Sequence, residues 1–454
     1  MVDPLLWPPA LPLSGRETDV NHIVSAIAEG HCLSLVGMSN VGKSFVLRAL
    51  CQEGSHGADS HSTFVYVDCN RMVEFTDQGF YELVLRCLKA SLAPALANSP
   101  LNSHLEQCYN DVVSPPSPFL VHLRFSEAIS SACEQAGPRL VLVLDEFDEV
   151  MQGIDDRVLL NLRALRDNYP HQLSYVTASG RRLNALRRTH GSEEFAELFA
   201  QGTHFLAPLG AKAASALVGQ WVAQDSLLLS PADMPFILEE TGGHPGLLTA
   251  VCHALSALRA EAQAIQRPLS EAQLRERLDS DVACQEECLK FWQKLSQDER
   301  YVLLQPESQQ TAAGLDAWQS LLERHLLRYS ETGPQPFCRL LAAYLHRQRL
   351  ARQAEAHGVR VDVESGEVWV DGRLAPTLTE LEYRLLLLLY GHLDQIVDKY
   401  AVVEAVWGQE YIDKVDDARI EKLVSRLRFK LEANPANPRY LLTVRGRGYR
   451  LASA

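Results

Sequence analysis

No run of about 18 uncharged apolar residues occurs in this chain, so no membrane-spanning helix is expected. The opening stretch Met1–Ser14 lacks a basic n-region and is interrupted by Pro4, Pro8, Pro9 and Pro12, which argues against a secretory signal. The ten cysteines follow no framework spacing. Cys284 and Cys288 lie four apart on an expected helix, but no second pair stands nearby to complete a zinc site, so reduced thiols in a cytoplasmic protein are expected. No repeat of roughly 30–45 residues is present, which excludes a solenoid ligand-sensing array. What remains is an ordinary globular composition, 46% hydrophobic and 22% charged. A length of 454 residues exceeds what one core supports, so several domains are expected.

The stretch Leu33–Ser44 carries the strongest signal. A short apolar run enters a glycine-flanked loop and leaves as a helical run through Leu50, and Gly37, Gly42, Lys43 and Ser44 satisfy the G-x-x-x-x-G-K-[ST] spacing of a phosphate loop. Polyphosphate must lie against backbone N–H groups, so the loop needs residues without Cβ where it bends, and the next helix aims its positive end at the anion. In this pattern the loop residues Gly37, Asn40, Val41 and Gly42 cradle the phosphates, Lys43 neutralises their charge and Ser44 sits on Mg²⁺.

Downstream, a polar loop is expected over Gln52–Ser62, a strand over Phe64–Asp68 and a helix from Gln78 to about Ala93. Pro94–Pro118, rich in Pro, Ser and Asn, reads as an inserted loop. Leu140–Leu144 is an uncharged apolar run suited to a strand covered on both faces, and it ends in Asp145-Glu146-Phe147-Asp148-Glu149. Carboxylates at the carboxyl end of a central parallel strand are placed to serve a Mg-nucleotide: Asp145 on the ion, Glu146 polarising the attacking water. The alternative is an acidic helix start. The next strand has a polar end, where Thr177 or Ser179 is a γ-phosphate sensor candidate and Arg181 or Arg182 a source of positive charge; plain loop residues are the alternative.

Gly15-Arg16-Glu17, the phosphate loop, Asp145-Glu146 and the Gly243-His244-Pro245 turn together resemble STAND-type AAA+ ATPases and the related origin-recognition ATPases. The resemblance covers about the first 290 residues. It implies that Arg16 lies near the adenine and that Pro245 belongs to a lid closing over the nucleotide; no arginine finger is assigned in this sequence. Residues 291–354 carry short amphipathic stretches (Leu295–Leu304, Trp318–Leu327, Phe337–Leu350) and look like the small winged-helix coupler that often follows such a core.

Net charge is −14, which disfavours a nucleic-acid partner for the chain as a whole. Between Asp416 and Arg450, however, nine Lys/Arg face only four Asp/Glu. A basic segment on an acidic body suggests a local anion-binding face. Val359–Gly372 alternates and turns like a small β-sheet, Thr379 and Glu382 have capping-box spacing, and Lys399–Trp407 reads as a further helix. Asp417–Ala433 reads as a helix with Ile420, Leu423, Val424, Leu427 and Leu431 on one face, and Arg419, Lys422, Ser425, Arg426 and Lys430 on the other. A basic hairpin with Arg445 and Arg447 follows. Leu378-Thr379, Val406-Trp407-Gly408, Ser425–Leu431 and Thr443–Tyr449 resemble the OmpR/PhoB-type winged-helix DNA-binding domain. The resemblance implies that the basic helix enters the major groove and the hairpin lies toward the minor groove. Ile420-Glu421-Lys422-Leu423 departs from the pattern, which leaves base preference open. No receiver domain precedes this segment, so a P-loop switch stands where a phosphorylation switch would be.

The expected architecture is multidomain: an α/β P-loop AAA+ core over residues 1–207, a helical lid over 208–290, and two α+β winged-helix modules over 291–354 and 355–454. The expected function is a transcriptional regulator switched by ATP or ADP with Mg²⁺, Lys43, Asp145 and Glu146 supporting slow hydrolysis. Its expected partners are double-stranded DNA, further copies of itself and an unidentified protein or ligand trigger. The alternatives are an origin-type or mobile-element DNA ATPase, and a defence or signalling STAND protein whose winged helix binds protein.

Overall fold

A computed structural model of the chain describes residues 15–52, 62–93, 99–135, 139–225, 227–304, 312–330, 333–355, 358–362, 366–411 and 415–453. The opening stretch Met1–Ser14, most of the polar loop 52–62, and Val363 and Ser365 in the expected small sheet fall outside the described residues. The chain divides into two compact units, residues 1–345 and 346–454.

The first unit is built on a parallel sheet of β1 (Leu33–Val36), β2 (Ser62–Asp68), β3 (Arg139–Asp145), β4 (Leu173–Ser179) and β5 (Thr203–Phe205), in the order β2-β3-β4-β1-β5. Side chains alternate between its faces. Val141, Val143, Val176 and Ala178 join the cluster formed with helices Glu17–Ala28 and Lys43–Leu50. Leu140, Leu142, Leu144, Leu173 and Tyr175 join the cluster on the opposite face, with helices Asp77–Leu92, Pro118–Gln135 and Asp156–Asn168. Apolar runs such as Leu140–Leu144 are therefore required by burial on both faces. The order reverses at β1 and β4, so the carboxyl ends of β1, β4 and β3 open onto one crevice, where ligands bind in open α/β sheets.

One expectation fails here. Pro100–Val113, read as loop from its Pro, Ser and Asn content, is a helix. Ser99 caps it by accepting from the Leu101 N–H, and Pro100 occupies the first turn, where a missing N–H costs nothing. Leu101, Leu105, Cys108 and Val112 bury a stripe at helical spacing.

Beyond β5 the first unit is helical: Ala211–Asp225, Met234–Thr241, Pro245–Ala264, Glu271–Ser280 and Val282–Gln293, then Gln297–Leu304 and Ala312–Glu323. A two-stranded antiparallel ribbon follows, β6 (Leu327–Ser330) with β7 (Gly333–Pro336), and then the helix Arg339–Glu355, which begins in the first unit and runs past its end at residue 345. Leu247, Val251, Phe291, Leu321 and Leu341 share one core with β1 and the helix after it. Inside this core Arg324 and Glu299, both nearly inaccessible, form an ion pair at 2.7 Å, and Ser320 donates to the same Glu299 oxygen.

The second unit has its own core. Three short strands, β8 (Val359–Val361), β9 (Val368–Val370) and β10 (Arg373–Leu374), precede helices Glu380–Tyr390, Lys399–Trp407 and Asp417–Leu431. An antiparallel hairpin, β11 (Leu441–Val444) with β12 (Gly448–Leu451), follows them. The expected capping box is present: Glu382 accepts from the Thr379 N–H at 2.8 Å. Among the described residues no helix is long and apolar enough to cross a membrane.

Candidate functional site

The loop between β1 and helix Lys43–Leu50 is held in a tight turn from several sides. Gly42 caps the helix at φ +105°, a region L side chains rarely enter, and a Cβ on Gly37 would meet Val41 Cγ1 at 2.9 Å. Lys43 is buried, and its ammonium donates to the carbonyls of Gly37 and Met38, both at 3.0 Å. Burial pushes this ammonium below its ordinary value, while Glu146, Asp148 and Asp145 pull it back. Arg16 braces the loop from the outside: its guanidinium donates to Val41 O at 2.7 Å and Ala207 O at 2.8 Å. Burial lowers its affinity for the proton, against the attraction of Asp19.

Asp145 ends β3 almost inaccessible to solvent. Its Oδ2 accepts from the Tyr66 hydroxyl at 2.6 Å and its Oδ1 from the Glu146 N–H at 2.9 Å. Glu146 adopts φ +50°, an uncommon conformation for a residue with a Cβ. Burial raises its carboxyl above the ordinary carboxylate range, and Lys43 opposes that shift. Asp148 accepts from the Gly180 N–H through both carboxylate oxygens, at 2.9 and 3.0 Å, tying the end of β3 to the end of β4. Thr177 Oγ1 on β4 is fully buried without a hydrogen-bond partner. Ser179 instead donates to Arg181 O at 2.7 Å, and Arg182 forms an ion pair with Glu323 at 3.0 Å.

The helices beyond β5 grip the same loop. His244 Nδ1 accepts from the Leu247 N–H at 3.3 Å, which places the imidazole proton on Nε2, donated to Ser39 O at 2.8 Å. Its ring packs edge-on against Phe291, centroids 4.8 Å apart. Burial lowers this imidazole to about 3, so it is neutral at physiological pH. Pro245 begins the helix that His244 caps. From Val282–Gln293, Glu287 accepts from Asn40 Nδ2 through both oxygens, at 3.0 and 3.1 Å. Tyr66, Asp148, His244 and Glu287 carried no assigned role from the sequence. His244 stood inside the quoted turn and Asp148 inside the quoted acidic run, but Glu287 is reached only through the tertiary fold.

A buried ammonium in a glycine-bent loop at a helix N-terminus, with the carboxylates of Asp145 and Glu146 close enough to act on it electrostatically, fits a polyphosphate chelated by a divalent ion.

In the second unit, Arg419, Lys422, Ser425 and Arg426 lie exposed along Asp417–Leu431, and Arg445 and Arg447 are exposed in the hairpin turn. Arg419 also stacks over Trp407, 5.8 Å from the ring centre. Lys430 is placed differently. Its ammonium donates to Glu382 Oε2 at 2.6 Å and Thr377 O at 2.7 Å, so it braces the domain internally. Arg428 likewise donates to Leu441 O and Thr443 Oγ1, joining the helix to the hairpin.

A family model described as Novel STAND NTPase 1 matches residues 13–305, and one described as Transcriptional regulatory protein, C terminal, matches residues 374–451. The chain is 40% identical over 99 residues to the sensory transduction protein RegX3 of Mycobacterium leprae, covering 22% of this chain and 48% of that protein. It is 40% identical over 94 residues to the alkaline phosphatase synthesis transcriptional regulatory protein SphR of Synechococcus elongatus, covering 21% and 35%. The chain thus spans about half the length, or less, of these curated relatives. Among solved structures it is similar to a Walker-type ATPase of Pyrococcus abyssi, at TM-score 0.45 and 14% identity over 73% of this chain and 95% of that one. It is also similar to the RstA DNA-binding domain of Klebsiella pneumoniae in complex with RstA box, at TM-score 0.20 and 30% identity over 21% and 93%.

Proposed function

The chain belongs to the Novel STAND NTPase 1 family and carries an OmpR/PhoB-type DNA-binding domain in residues 374–451, and on that premise we propose that it is a cytoplasmic transcription regulator switched by bound nucleotide. The phosphate loop Gly37–Ser44 would hold ATP or ADP, with Lys43 on the β- and γ-phosphates and Arg16 and Pro245 at the edge of the pocket. Ser44 and Asp145 would hold Mg²⁺, which supplies charge neutralisation between the phosphates. Glu146 would orient water for a slow hydrolysis that resets the switch.

The double grip of the lid on the phosphate loop, through His244 on Ser39 and Glu287 on Asn40, carries this reading. Any rearrangement of residues 39–43 around an anion changes the partners of two lid helices. Lid and loop therefore respond as one element, and nucleotide biases it by its differential affinity for the two states. We assign residues 1–207 to the core, 208–290 to the lid, 291–354 to a winged-helix-like coupler and 355–454 to the DNA-binding domain. Nucleotide-dependent self-association would set several basic helices along tandem DNA sites and raise affinity through effective concentration.

Selection of full-length protein against randomised double-stranded DNA, in ATP, ADP and no nucleotide, tests the proposal. A recovered repeated motif, enriched in one nucleotide state, is expected. Sequence-blind recovery indifferent to nucleotide would refute it.

A further inference from the structure

Helices Pro100–Val113 and Pro118–Gln135 pack as a hairpin on the face of the sheet opposite helix Lys43–Leu50, at a distance in sequence from every nucleotide-site residue. On this hairpin His104 and Cys108 lie one helical turn apart, four residues along one face, and Glu127 meets them from the second helix. His104 Nε2 is 3.7 Å from Cys108 Sγ and 3.5 Å from Glu127 Oε1, and one ligand atom from each of the three lies within 4.8 Å of the others. We propose that His104, Cys108 and Glu127 bind a zinc-class divalent cation.

The separations support this. With Zn–S near 2.3 Å and Zn–N and Zn–O near 2.0 Å, a tetrahedral site sets S···N at about 3.6 Å and N···O at about 3.3 Å. The observed S···N and N···O separations are each within about 0.2 Å of those edges. The donor set is imidazole, thiolate and carboxylate, which suits Zn²⁺ and related borderline-soft ions over Mg²⁺ or Ca²⁺. Charge balances as well: a thiolate and a carboxylate neutralise a divalent ion. The remaining oxygen of Glu127 is already oriented, because Oε2 accepts from Arg124 at 2.7 Å while Arg124 is held on its other side by Asp111 at 2.8 Å. Such an outer partner fixes a metal-ligating carboxylate in place. Cys108 is almost inaccessible, whereas His104 and Glu127 are partly exposed, so an ion can reach the site from solvent. Three protein ligands leave the fourth position for water.

Burial pushes the Cys108 thiol up to about 11, with Glu127 and Asp111 adding to the shift and Arg124 opposing it. The site is separate from the Cys284–Cys288 spacing and from the nucleotide loop. It would pin the two helices to one another just before the chain enters the strand that ends in Asp145.

The test is titration of metal-free, full-length protein with Co²⁺ in excess Mg²⁺, followed by Zn²⁺ competition against a chromogenic chelator. One equivalent per chain is expected, with a thiolate-to-cobalt charge-transfer band that vanishes in Cys108→Ser. Zn²⁺ affinity should fall at least about 100-fold in Cys108→Ser and in His104→Asn, the latter a partly exposed position tolerant of change, and should be retained in Cys133→Ser. Binding below one equivalent, the absence of a thiolate band, or affinity unchanged in both ligand variants would overturn the site.

Discussion

His244 offers a pH test of the contact between helix Pro245–Ala264 and the loop after β1. Its imidazole titrates near 6.5 when unfolded and at about 3 in the fold, where burial outweighs the hydrogen bond to Ser39 O. Protonation at Nδ1 would also set a proton against the Leu247 N–H that this nitrogen now accepts. Below pH 6.5 the unfolded chain takes up a proton that the folded chain refuses, so stability falls with falling pH, and the loss continues until about pH 3. Between pH 7 and pH 5 this one group removes about 2 kcal/mol, since each tenfold difference in proton affinity is worth about 1.36 kcal/mol and the 6.5 end is only partly crossed. His244→Asn keeps a good helix cap but cannot titrate, and by losing the Ser39 bond and the packing on Phe291 it starts roughly 2–4 kcal/mol lower. Urea unfolding of both full-length proteins at pH 7 and pH 5 measures the difference. The transition of the first unit should lose about 2 kcal/mol more in the parent than in the variant, while that of the second unit shifts equally in both. Equal pH dependence of the first unit in the two proteins would refute a neutral, buried His244 at the loop.

Four further outcomes follow from the geometry. Glu146→Gln should retain nucleotide affinity within about twofold while steady-state hydrolysis falls about 10²–10⁴-fold, read by phosphate release. In the second unit, Arg426→Ala should lower the slope of log affinity against log salt by about one with the melting temperature unchanged. Lys430→Ala should instead destabilise the domain by roughly 1–3 kcal/mol, because Glu382 loses its partner. Arg324→Met should cost about 3–5 kcal/mol in chemical denaturation by leaving Glu299 charged and buried, and pairing it with Glu299→Leu should recover most of that loss.

The glycine-bent loop after β1 and the acidic end of β3 were legible as structure because their pattern is local. A helix N-terminus, two glycines, a lysine and a serine must be contiguous to wrap an anion, and a doubly covered strand must be apolar throughout. The C-terminal helices were legible for a similar reason, since capping box and apolar stripe lie within a few turns. The helix Pro100–Val113 was hidden because Pro and Ser were read as breakers, although at the first turn they are initiators, and its stripe of Leu101, Leu105, Cys108 and Val112 is sparse. Lys430 looked equivalent to Arg426 on a helical wheel. Only the packing of Glu382 against it separates an internal brace from a solvent-facing cation. Glu287 lies 247 residues from Asn40, and no periodicity spans that interval. His244 and the cluster of His104, Cys108 and Glu127 are of the same kind, being defined by which helices meet.

Coupling between nucleotide and DNA binding is read from the affinity of the full-length protein for its selected DNA at fixed salt. The parent should bind at least about tenfold more tightly in one of the two nucleotide states, a difference of about 1.4 kcal/mol, and Lys43→Ala should bind equally in ATP, ADP and no nucleotide. Identical affinity of the parent in all three conditions would exclude nucleotide control of DNA binding.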